Sequence, residues 1–73
     1  MKELFDKIDA LLDSRCETAY VSRFYSDSDN VTIATTSRGE FEEIHRIMSS
    51  VGFSHYDTGS SYNYYMLTYK RNG

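Results

Sequence analysis

Residues 37–52, SRGEFEEIHRIMSSVG, decide how the rest of the chain is read. Apolar side chains recur at Phe41, Ile44, Ile47, Met48 and Val51, the stripe of an amphipathic helix. The opening Ser37-Arg38-Gly39-Glu40 matches a capping box: the serine oxygen accepts from the N–H near Glu40, and the glutamate reaches back. Glu42 and Arg46 stand at the supportive i, i+4 spacing. Gly52 suits the left-handed residue that ends a helix. A helix in mid-chain divides what flanks it into two similar parts.

Upstream, residues 18–25 (TAYVSRFY) and 31–36 (VTIATT) are rich in β-branched and aromatic types. Between them SDSDN, residues 26–30, is a turn cluster whose short side chains bond back to the backbone. This predicts a β-hairpin with a four- or five-residue loop. Further upstream, Leu4, Phe5, Ile8, Leu11 and Leu12 make a second amphipathic stripe, opposite Asp6, Lys7, Asp9 and Asp13. Glu3 and Lys7 repeat the i, i+4 pairing. Downstream, FSHYDT (53–58), a turn at Gly59-Ser60-Ser61 and YNYYMLTYKR (62–71) read as another hairpin.

The order is α-β-β-α-β-β. It predicts an α+β fold, with two helices packed on one face of a four-stranded, mostly antiparallel sheet. A shift of 36 positions lays Phe5 on Phe41, Ile8 on Ile44, Leu11 on Ile47, Leu12 on Met48 and Tyr20 on Tyr56, the pattern of an internal duplication. The 73 residues make one domain with a thin core, since a chain of this length buries only ~60% of its unfolded surface.

Side chains alternate across a strand. In the last strand Asn63, Tyr65, Leu67 and Tyr69 share one face, and Tyr62, Tyr64, Met66, Thr68 and Lys70 the other. A three-residue turn at Gly59–Ser61 pairs Thr58 with Tyr62, puts Phe53 with Leu67 and puts Tyr56 with Tyr64. Phe53 and Leu67 are the most apolar, so their face goes to the helices. Tyr56, Tyr62, Tyr64 and Met66 then lie on the open face. For the first hairpin two groupings remain. A five-residue loop puts Val21, Arg23, Tyr25, Val31 and Ile33 together; a four-residue loop puts Tyr20 and Phe24 with Val31 and Ile33. Either leaves aromatic rings on the second face.

Composition excludes several classes. A net charge of −3 argues against a general duplex-DNA binder. One cysteine, Cys16, permits no internal disulfide and fits a reducing, cytoplasmic setting. The charged first helix lacks the apolar core of a secretory signal, and no run approaches the ~18 apolar residues of a membrane span.

Catalytic and metal-binding sets do not assemble from the pattern. Cys16, His45 and His55 lack both an orienting third group and zinc-ligand spacing. Asp27, Asp29 and Asn30 begin like a calcium loop, but Thr32 stands where glycine is needed and Arg38 where glutamate is needed. TGSSY is a hairpin turn rather than the helix-opening cradle that holds phosphate. Glu40, Glu42 and Glu43 complement the positive end of their helix. The expectation is a protein without enzymatic activity, metal or cofactor.

What remains is contact surface. Tyr56, Tyr62, Tyr64 and Met66, with Lys70, form an expected protein-binding face. Asp27, Asp29 and the Glu40–Glu43 cluster are acidic enough to meet a basic partner. Tyrosine suits such surfaces because it gives rigid contact area and a hydroxyl at low entropic cost. By analogy, an acidic polypeptide of this size suits a small inhibitor or adaptor, such as those phages direct at host nucleic-acid-binding complexes. Homodimerisation through the open face or an edge strand is compatible with this. The alternative is a single-stranded nucleic-acid binder, with Tyr56, Tyr62 and Tyr64 stacking bases and Arg23, Lys70 and Arg71 holding phosphates. Its negative charge and the absence of an RNA-recognition signature oppose it.

Overall fold

The structure, a computed structural model, describes residues 2–73. Helix α1 spans Lys2–Arg15, strand β1 Tyr20–Val21, β2 Asn30–Thr35, helix α2 Phe41–Ser50, β3 Phe53–Ser61 and β4 Tyr64–Arg71. Short 3-10 turns at Arg23–Tyr25 and Arg38–Glu40 interrupt the connections. The expected α-β-β-α-β-β order and α+β class are therefore present. The sheet runs β1-β2-β4-β3, with every neighbouring pair antiparallel. No helix among the described residues is long and apolar enough to cross a membrane.

The helical stripes meet the sheet where the periodicity places them. Phe5, Ile8 and Leu12 from α1 join Ile44, Ile47 and Met48 from α2 over Val21, Val31, Ile33, Phe53, Leu67 and Tyr69. Each such apolar side chain contributes about 1.5–3 kcal/mol on leaving water. Gly52 ends α2 with φ +88°, a backbone region that side chains disfavour.

The two halves meet about an approximate two-fold axis. In the β2–β4 ladder Thr32 lies opposite Thr68, and 68 − 32 = 36, the shift that aligns the halves. Asn30 opposite Lys70 and Ala34 opposite Met66 flank that pair symmetrically. The Thr32 and Thr68 hydroxyls approach to 3.4 Å at the axis.

The capping box at Ser37 does not form. Ser37 makes no side-chain capping bond, and the Glu40 N–H bonds the Ser37 carbonyl at 3.2 Å within the 3-10 turn. The Glu40 carboxylate instead receives the Glu17 N–H at 3.0 Å, the Thr18 hydroxyl at 3.1 Å and the Thr35 hydroxyl at 3.0 Å. Several tertiary donors converging on one carboxylate outweigh a single local N–H. Arg46 pairs with Glu43 at 3.8 Å rather than with Glu42.

In the first hairpin neither expected loop occurs. Tyr20 opposes Ala34 and Val21 opposes Ile33, so β1 holds two residues. The 3-10 turn lifts Arg23, Phe24 and Tyr25 out of the strand, and the chain rejoins β2 through a tight turn from Asp27 to Asn30. The Ser26 hydroxyl accepts the Thr32 N–H at 2.9 Å, replacing a ladder bond that the turn removes. Val21, Val31 and Ile33 still share the core face, but Tyr25 and Arg23 leave it. Arg23 reaches Asp6 and Asp9 of α1 at 2.8 Å each, and Asp9 accepts the Val21 N–H at 2.8 Å. Helix α1 thereby closes the outer edge of β1.

The second hairpin corrects the expected turn. Strand β3 continues through Gly59-Ser60-Ser61, and the chain reverses at Tyr62–Asn63. Thr58 opposes Leu67, not Tyr62. Two-residue connections follow sheet twist better than the three-residue turn first expected. A bulge between His55 and Asp57 then resets the alternation. Phe53 consequently reaches the core beside Leu67, as expected, through a different register.

Candidate functional site

The helices cover one face of the sheet and leave the other open. Partners across the ladder share a face, so this open face takes Tyr20 from β1, Thr32 and Ala34 from β2, Tyr64, Met66, Thr68 and Lys70 from β4, and Asp57 and Gly59 from β3. The Lys70 ammonium stands 3.8 Å over the centre of the Tyr56 ring, placing Tyr56 there too. That contact is a cation–π pair. Tyr20 and Tyr64 meet edge to face, with centroids 6.1 Å apart and planes at 89°. Burial first, and Tyr64 second, push the Tyr20 phenol above its ordinary value. Ala34, between Tyr20 and Met66, is covered despite lying on the open side.

The 3-10 turn adds a wall. Tyr25, Thr32, Ser61, Met66 and Thr68 line a groove of about 220 Å³ across this face. Its threonines lie on the approximate two-fold axis. Phe24 packs edge-on to Tyr25, centroids 5.0 Å apart, and is 82% exposed. An apolar ring held that far into water, beside four exposed tyrosines, is the chief anomaly of the surface.

The expected contact residues separate into three places. Tyr56, Tyr64, Met66 and Lys70 share the open face. Tyr62 does not: it occupies the turn at the end of the second hairpin, fully exposed, with φ +54°. There it lines a second, hydroxyl-rich hollow of about 330 Å³ with Thr36, Ser60, Asn63, Tyr64 and Tyr65. Asp27 and Asp29 lie at the opposite end of the sheet. Asp27 accepts the N–H groups of Asp29 and Asn30 at 2.8 and 2.9 Å, and these bonds hold its carboxyl below the usual range. Asp29 pairs with Arg71 at 3.5 Å. Both acids thus support their own loop, and the Glu40 carboxylate is turned inward.

Phe24 and Tyr25 join the site through a feature with no local signature. The stretch Arg23-Phe24-Tyr25 reads as strand, and only its tertiary ties to α1 and β2 turn it out.

The groups with chemical potential lie elsewhere. His45 and His55 rings stand 4.7 Å apart, and the His45 Nδ1 meets the Tyr69 hydroxyl at 2.6 Å. Burial first, then neighbouring His55, lower the His45 pKa. Burial pushes the Tyr69 phenol well up. Burial, then Glu40 and Glu43, raise the Cys16 thiol and oppose the thiolate that nucleophilic chemistry needs. Among the described residues no three His, Cys, Asp or Glu side chains are grouped to hold a metal ion. Compared with protein families, curated proteins and solved structures, the chain finds no match in any of the three.

Proposed function

We propose that this chain is a non-catalytic protein-binding module whose contact surface is the open, tyrosine-rich sheet face. The observation that carries this reading is the cluster of Tyr20, Phe24, Tyr25, Tyr56 and Tyr64, all more than one-third exposed on or beside one face. Rings of this kind give large contact area with few torsions to freeze. The groove between them supplies the concave element that anchors a partner side chain. The size, acidity and single thiol suit a small cytoplasmic inhibitor or adaptor of the kind phages encode, acting on a host complex that binds nucleic acid. Asp29, exposed at one end of the sheet, adds negative charge at the rim for a basic partner.

The test is affinity capture from the source lysate with the wild type and with a Tyr64→Ala/Tyr56→Ala double variant. Partners held by the wild type and lost by the variant support the reading; identical partners remove the open face from it. Tight binding of single-stranded oligonucleotides at low salt, abolished by Tyr64→Ala, would replace it with base stacking. On the open face only Lys70 among the strand residues is cationic, which is poor provision for a phosphate backbone.

A further inference from the structure

The open face has the size, neutrality and symmetry of a self-association surface. Its five exposed rings would each present roughly 150–250 Å² if isolated, and at their observed exposure they offer on the order of 600 Å². Two such faces together reach about 1,200 Å², the lower bound of stable protein interfaces, before Met66 and the threonines are counted.

Charge is segregated in the same sense. The strand residues on the open face include one acid, Asp57, and one base, Lys70. The helices on the other side carry six acids against the four bases Lys2, Lys7, Arg15 and Arg46, and so are net acidic. A chain of net charge −3 meets a copy of itself with least repulsion when the helical layers point outward. Nucleic acid gains no comparable advantage from this face.

Resting on the reading of this face as a binding surface, we propose that its occupant is a second copy of the chain, packed sheet face to sheet face about a two-fold axis. An isologous interface uses the same patch twice, so each copy must supply both projection and recess. Here Phe24 is the projecting ring, and the groove lined by Tyr25, Thr32, Ser61, Met66 and Thr68 is the recess. The outer edge of β1 is closed by Asp9, so a second copy cannot extend the sheet there, whereas the open face is not obstructed.

Sedimentation velocity from micromolar to millimolar concentration tests this, with hydroxyl-radical footprinting at each end of the range. The expected result is a reversible dimer in which Tyr20, Phe24, Tyr25, Tyr56 and Met66 become protected. Tyr25→Asp and Tyr56→Asp, both on exposed rings, should each weaken association about tenfold or more. Glu42→Lys on the helical layer should leave it unchanged, and circular dichroism checks that every variant is folded. A monomer at all concentrations overturns the proposal. So does a dimer indifferent to both aspartates, or one whose protection maps to β3's edge or to the helices. A monomer that still captures a partner through Tyr56 and Tyr64 overturns only the dimer. A face-to-face dimer with no such capture supports it and sinks the partner-binding reading instead.

Discussion

Glu40 carries more of the structure than its place in a helix-start motif suggests. Its carboxylate ties the segment after α1, at Glu17 and Thr18, to Thr35 at the end of β2. Burial raises its pKa, but the hydrogen bonds from Glu17, Thr35 and Thr18 together outweigh that and hold it below the ordinary 4.5. Folded protein therefore binds this proton less readily than unfolded chain. The resulting stability is present above pH 4.5 and is lost as pH falls through the folded value. Glu40→Ala should cost about 1–3 kcal/mol in urea unfolding at neutral pH, because the Glu17 and Thr18 N–H groups and the Thr18 and Thr35 hydroxyls lose a shared charged acceptor. Glu40→Gln should remove this part of the acid sensitivity. His45 offers a second check at the same scale. Its neutral form is favoured by burial and by His55, so an NMR titration should place its midpoint below 6.5. Stability from this source is complete above pH 6.5 and is lost as pH falls through the folded midpoint.

Among the elements, the second hairpin holds the clearest mismatch between residue and backbone. Tyr62 adopts φ +54° at a position that suits glycine. The left-handed region costs a side chain roughly 1–2 kcal/mol, and glycine returns part of that gain through unfolded-state entropy. Tyr62→Gly should therefore stabilise the fold by about 0.5–1 kcal/mol, raising Tm by a few degrees in a domain of this size. Gly52 presents the converse. With φ +88° and open space around the position, Gly52→Ala should destabilise by about 1 kcal/mol through backbone strain alone. The sequence marks Gly52 clearly, because an apolar stripe ends just before it. It does not mark Tyr62, because a tyrosine beside three others reads as strand. The turn falls there through pairing of Ser61 with Tyr64, a choice made by the whole β3–β4 ladder.

At the scale of the molecule, the two αββ halves are related but not independent. The central ladder joins β2 of one half to β4 of the other through Thr32 and Thr68, and one core cluster draws on both helices. A peptide of residues 1–36 leaves Val31, Ile33 and Leu12 without the partners that bury them. It should be unfolded by far-UV circular dichroism at neutral pH, since chains below about 40 residues seldom fold without such support.

Legible along the chain are the two amphipathic helices, the element order, the core side of the last strand and the 36-residue offset between its halves. Each depends on a period or spacing written along the chain, and burying an apolar stripe is favourable in any register that allows it. The directions taken by Glu40, Tyr62, Phe24 and Tyr25 depend on contacts between distant segments. Glu40 left its helix for donors 22 and 23 residues away. The Phe24–Tyr25 turn is held out by Arg23's ties to Asp6 and Asp9 and by Ser26's bond to Thr32. Those choices compare local bonds with distant ones, and the distant partners are adjacent only once the chain has folded.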